Sequence, residues 1–265
     1  MHKILVTLLM VSATSAFAIN NDAFQEFDNQ YNIGYAVSQT LLSNGAANQT
    51  LQQNQTLNLG VERLFDMGIW LDAKVTMLLA TNSLGNQATG TGQGVGNTLN
   101  QNPEFAGVNV KVGYAFPLVS HYLQLIPYGL VGRNTNITAA TIAANGRANV
   151  SQDVFYTGGV GARLDYPINH YIDLYADQLV SYNWDQSGPA GGIQPQNNMV
   201  YTSTLGAKFN IVKNLQLGVN GFYTNYQYLA TAPSTTTING GCPSGCSIYQ
   251  PQSTLGGMVS VGLTY

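Results

Sequence analysis

The feature that most restricts this chain is a two-residue alternation of apolar with small or polar side chains. It recurs in ten segments and is nowhere replaced by a long apolar run. The last segment shows it most plainly. Leu255, Gly257, Val259, Val261, Leu263 and Tyr265 fall on one face, and Thr254, Gly256, Met258, Ser260, Gly262 and Thr264 on the other. Alternation of this kind belongs to β-strands, whose successive side chains point to opposite sides. The segments are Tyr31–Leu42, Asn54–Phe65, Met67–Ala80, Glu104–Phe116, His121–Arg133, Gln152–Tyr166, His170–Trp184, Met199–Val212, Leu215–Tyr228 and Thr254–Tyr265. Each reaches the length of about 9–11 residues that a tilted strand needs to cross a bilayer.

The connections between these segments alternate in length without exception. Short ones (Asp66, Pro117–Ser120, Pro167–Asn169, Lys213–Asn214) are interleaved with long ones (Ser43–Gln53, Thr81–Pro103, Asn134–Ser151, Asp185–Asn198, Leu229–Ser253). An antiparallel meander with all its short turns at one end produces this pattern, and both termini then fall at that end. A miscounted strand would break it. The expectation is therefore all-β: an antiparallel up-and-down transmembrane β-barrel of ten strands, with eight as the alternative. Two of the short connections share a pattern: Phe116, Pro117, Leu118 before His121, Tyr122 and Leu123, and Tyr166, Pro167, Ile168 before His170, Tyr171 and Ile172. Proline ends a hydrogen-bonded ladder, so both read as turns.

Composition fits a membrane-facing sheet better than a soluble domain. Charged residues make up 8% of the 265, while 45% are hydrophobic; soluble domains carry about 25% charged residues. The net charge of −3 offers no basic footprint for nucleic acid. At the N-terminus, His2 and Lys3 precede the apolar stretch Ile4–Val11 and the small-residue pattern Ala16, Phe17, Ala18, as in a cleaved secretory signal peptide. The domain reading is thus 1–18 signal peptide, 19–30 short N-terminal periplasmic segment and 31–265 barrel. A spanning chain without a membrane helix must satisfy its backbone in a closed barrel.

The export signal, the alternating strands and the terminal residues Gly262, Leu263, Thr264 and Tyr265 resemble small outer-membrane barrels of Gram-negative bacteria, the opacity-protein and OmpA-like group. The resemblance is one of pattern over the whole mature chain. It implies an outer-membrane location, contact with outer-membrane lipid and lipopolysaccharide, and recognition of the aromatic C-terminal Tyr265 by the outer-membrane assembly machinery. Independently of that, Tyr265 reads as an interface aromatic.

Strand parity turns nine charged residues toward the lumen: Glu62, Asp72, Lys74, Lys111, Arg163, Asp165, Asp173, Asp177 and Lys208. Five acids against four bases are near balance, which favours a paired network filling the barrel. The other reading is the charged constriction of a narrow channel. Two residues break parity. Arg63 faces outward close to the short turns, and Gln178 faces outward between Ala176 and Val180. Pro127 and Gly129 leave the facing of the fifth strand open.

Nothing in the chain reads as a catalytic site. Its two histidines beyond the leader, His121 and His170, sit at short turns, and the long loops hold almost no carboxylates. Hydrolysis needs a base within reach of its proton where substrate arrives. No cofactor or metal site is expected. Cys242 and Cys246 frame a Cys-Pro-Ser-Gly-Cys loop, expected as a local disulfide in an oxidising compartment. Tyr182, Trp184, Tyr226 and Tyr228 near one rim could form a stacking platform. The reading is a non-enzymatic surface protein whose long loops meet a host or environmental ligand, with a porin-like diffusion channel for ions or small solutes as the alternative.

Overall fold

A computed structural model describes residues 22–43, 49–85, 104–119, 122–142, 148–185, 198–228 and 250–265. The expected signal peptide (residues 1–18), His121, Cys242 and Cys246 lie outside the described residues, as do residues 44–48, 86–103, 143–147, 186–197 and 229–249. The described chain is nearly all strand: β1 (Gln30–Ser43), β2 (Gln49–Leu64), β3 (Ile69–Gly85), β4 (Glu104–Tyr114), β5 (Phe116–Val119), β6 (Leu123–Ile142), β7 (Ala148–Asn169), β8 (Ile172–Asp185), β9 (Asn198–Val212), β10 (Leu215–Tyr228) and β11 (Gln250–Thr264). A short helix, α1 (Asp22–Asp28), precedes them.

β4 and β5 are two stretches of one strand. Both pair with β6, and the break falls at Ala115, whose N–H donates to Gly68 O at 2.7 Å in the adjoining turn. Counted so, the sheet has ten strands, all antiparallel and each paired with its neighbour in sequence. Pairing of β1 with β11 closes it into a barrel. Closure removes every free edge, so each strand finds hydrogen-bond partners on both sides.

Strand boundaries differ from the expectation mainly at the long-loop end. β2 begins at Gln49 rather than Asn54, β6 runs on to Ile142 rather than Arg133, and β7 begins at Ala148 rather than Gln152. Those extensions, such as Gln49–Gln53 and Asn134–Ile142, are mixed or wholly polar. Apolar periodicity therefore weakens toward the long-loop ends of β2 and β6. Backbone pairing continues as far as Ile142 opposite Ala148. At the opposite end, β3 begins at Ile69 rather than Met67, because Gly68 adopts φ 81° and its N–H closes a turn on Phe65 O at 2.8 Å. That positive φ favours glycine.

The two faces separate cleanly. Leu205 and Val160 are each 68% exposed on the outside. On β6, Gln124, Ile126, Tyr128 and Leu130 are buried inward, while Val131 is exposed. This settles the strand that Pro127 and Gly129 left open. Exposed rings gather at the short-turn end (Tyr31, Phe116, Tyr122, Tyr166, Tyr171, Tyr265) and again toward the long-loop end (Phe105, Trp184, Tyr223). Arg63 lies over the ring of Phe65, 4.6 Å from its centroid, and 5.8 Å from that of Tyr265, which accounts for a charge on the outer face at that rim. Tyr265 also packs on Tyr31 at 4.9 Å.

Candidate functional site

The short-turn mouth of the barrel is filled by α1. Phe24 and Phe27 are three residues apart, so one helix face carries both. Both rings are buried. Phe24 joins a cluster of Leu64, Trp70, Ala115, Ile126 and Tyr128. Burying each ring contributes roughly 1.5–3 kcal/mol. Outside the mouth, Gln25 Nε2 donates to Asp66 Oδ1 at 2.9 Å and His170 lies 3.4 Å from Glu26, so two turns hold the exposed face of the helix. Residues 22–28 of the segment read as periplasmic are thus seated in the barrel.

Directly above the helix is a buried ionic cluster. Glu62 on β2 is its hub. One carboxylate oxygen accepts from Lys208 Nζ (2.9 Å) and Gln30 Nε2 (2.9 Å). The other accepts from Trp70 Nε1 (3.2 Å) and from the Arg163 guanidinium. Four donors fill the acceptor capacity of one carboxylate. Arg163 on β7 also donates to Asp165 Oδ1 at 2.7 Å and to Asp28 Oδ1 at 3.2 Å. Its guanidinium lies 4.6 Å from the ring centroid of Tyr175 and 5.5 Å from that of Trp70. Lys208 on β9 reaches Asp28 Oδ1 at 2.7 Å and the Phe27 carbonyl at 3.2 Å. It therefore ties the last turn of α1, whose carbonyls lack helical partners, to the barrel wall. Gln216 Nε2 donates to the same carbonyl at 3.4 Å.

Four carboxylates (Asp28, Glu62, Asp165, Asp173) share this interior with two cations (Arg163, Lys208), all nearly inaccessible. Burial pushes the Asp28 carboxyl above its ordinary range, against the pull of Lys208 and Arg163. Asp173 stands opposite Lys208 in the β8–β9 register.

Higher in the lumen is a second, looser group. Lys111 on β4 pairs with Asp177 at 2.6 Å and approaches Asp72 at 4.0 Å. The Tyr128 hydroxyl donates to Asp177, and Lys111 lies 4.7 Å from that ring's centroid. Lys74 is half-buried and has no ion-pair partner among the described residues. Toward the long loops the charges give way to amides and hydroxyls. Asn109 and Asn134 exchange hydrogen bonds of 3.0 and 3.1 Å, and Asn134 continues through Thr157 to Asn183. Of the nine lumen charges named from parity, Glu62, Arg163, Asp165, Asp173 and Lys208 meet at the plug, Asp72, Lys111 and Asp177 meet above it, and Lys74 stands apart.

Glycine makes room for the rings that wall this interior. A Cβ at Gly161 would strike the Tyr128 ring, and one at Gly206 the Tyr175 ring. The expected aromatic platform divides instead. Tyr182 and Trp184 stack with centroids 6.2 Å apart, and Trp184 is exposed on the outer face. Tyr226 shares the inward parity of Thr224, which is buried.

Sequence parity missed Asp28, Gln30, Trp70, Gln124 and Gln216, and the role of α1. Strand parity gives the face of a neutral side chain but not whether it joins an ionic cluster, and α1 lies before the first strand. The signal that could have found it is the Phe24–Phe27 spacing just ahead of an acid.

No protein-family model matches this chain, and no curated protein sequence does. Similar solved structures include the β-domain of the Bordetella autotransporter BrkA (11% identity, 90% of this chain and 100% of that one, TM-score 0.49). The outer membrane protease OmpT from Escherichia coli is similar at 10% identity over 90% of this chain and 97% of that one, TM-score 0.43. An outer membrane channel from Pseudomonas putida F1 is similar at 11% identity over 89% of this chain and 96% of that one, TM-score 0.44.

Proposed function

We propose that this chain is an outer-membrane β-barrel closed at its short-turn end, acting without catalysis as a surface protein through its long, nearly uncharged loops. The observation that carries this reading is the plug: α1 seats Phe24, Phe27 and Asp28 in the mouth and is locked there by Arg163 and Lys208. A lumen blocked by a charge-locked helix does not serve passage, which leaves the loops as the working part. The exposed apolar belt between two aromatic girdles supports contact with outer-membrane lipid and lipopolysaccharide. Tyr265, exposed at the rim, supports a role in handover from the assembly machinery, and the loops would meet a host or environmental ligand.

A second reading, a narrow channel, draws on Lys74 and Lys111, which line the lumen above the plug and are partly exposed. Planar-bilayer recording of the purified chain separates the two. The plugged surface protein gives a silent bilayer. Steady unitary conductance from the unmodified chain, altered in ion selectivity by Lys74→Gln or Lys111→Gln, would replace it with the channel.

A further inference from the structure

On the outward face of β8, Gln178 interrupts a ladder of Leu174, Ala176, Val180 and Tyr182. We propose that Gln178 marks an interface with a second copy of this chain, an inference that rests on the outer-membrane reading above.

The level of Gln178 comes from the strand register. On this hairpin Leu174 stands opposite Tyr166, and Trp184 opposite Tyr156. Both Tyr166 and Trp184 are exposed girdle rings. Gln178 lies between those levels, four residues from Leu174 and six from Trp184, within the apolar belt. An amide there faces hydrocarbon, where a polar group without a partner is costly.

Its bonding is half complete. Ser203, directly opposite on β9, donates its hydroxyl to Gln178 Oε1 at 2.6 Å. The two hydrogens on Nε2 have no acceptor among the described residues. Lipid tails supply none, and lipid carbonyls lie at the girdles rather than at this height. The same group still holds an unused lone pair on Oε1. An amide with spare donors and a spare acceptor is complementary to itself. A two-fold axis beside Gln178 sets each Nε2 against the partner's Oε1, the arrangement of an isologous dimer. The neighbours permit the approach: Ala162 stands opposite Gln178 on β7 and Ala176 beside it on β8. Small residues of this kind let backbones come close in membranes.

The test compares the native chain with Gln178→Leu and Ala162→Trp, all refolded into phosphatidylcholine vesicles, checked by flotation, and then sized by sedimentation in density-matched detergent across dilution. The native chain is expected to dimerise. Gln178→Leu removes the hydrogen bond and raises the dissociation constant about tenfold. Ala162→Trp, which leaves the amide intact, blocks the approach and does the same. A native chain that floats but stays monomeric at every concentration overturns the interface alone, as do variants that dimerise as tightly as the native chain. A native chain that does not float overturns the membrane reading and the interface with it.

Discussion

Arg163 holds three carboxylates that arrive from three separate elements: Asp28 from α1, Glu62 from β2 and Asp165 from its own strand. In water such pairs are worth little, but here every member is buried, and removing the guanidinium leaves Asp165 without its partner and Lys208 as the one cation against Asp28 and Glu62. Arg163→Met is therefore expected to destabilise the refolded barrel by about 3–5 kcal/mol, read as a lower urea midpoint. Lys111→Met, at a more accessible pair, should cost distinctly less; equal losses would mean the lower cluster is no more sealed than the upper. A second expectation concerns packing. Gly161→Ala pushes a methyl into the Tyr128 ring, and overpacking of this sort costs about 1–3 kcal/mol. If the close approach is the cause, Tyr128→Leu in the same chain recovers part of that loss, a coupling that a double-mutant cycle measures directly. Purely additive losses would place the cause elsewhere.

At the scale of elements, α1 is the piece that decides what the lumen does. It is seven residues long, too short to hold a helix by itself, so its order comes from docking two rings and one carboxylate. Replacing Phe24 and Phe27 together by Ser should unseat it while leaving the strands paired, giving bilayer conductance with an unchanged β-sheet circular dichroism spectrum. A silent bilayer from that variant would mean that the side-chain network above, not the helix, closes the lumen. The strands themselves are legible because outward-facing and lumen-facing positions differ in polarity residue by residue. β11 alternates from Thr254 to Tyr265, and the alternation of short and long connections corroborated the count of ten. What was not legible has a physical reason in each case. The outer parts of β2 and β6 mix polar residues into both alternating sets of positions, and the part added to β7 is only four residues long, so little in composition separates them from loop. The interruption at Ala115 depends on a contact with Gly68 across the barrel rim. α1 precedes the first alternating segment, and its partners Arg163 and Lys208 lie 135 and 180 residues beyond Asp28, which no local pattern encodes.

For the molecule as a whole, the chain distributes its few charges by depth. A buried ionic layer seals one end, a partly open Lys111–Asp177 layer lies above it, and Asn and Thr side chains continue toward the long loops. The outer surface reverses this order, being predominantly apolar with rings at both rims and isolated polar side chains such as Arg63, Arg133 and Gln178. The sequence holds two tryptophans, and they fall one to each side of the wall. Trp70 is fully buried inside, beside α1, and Trp184 is 42% exposed outside. Single-tryptophan variants, Trp184→Phe and Trp70→Phe, refolded into bilayers of brominated phosphatidylcholine, put the two-sided barrel to its most direct test. Emission from Trp184 should be quenched by the brominated chains, while emission from Trp70 should resist both those chains and aqueous acrylamide. Equal quenching of the two by brominated lipid, or of neither, would contradict a closed barrel with a sealed interior.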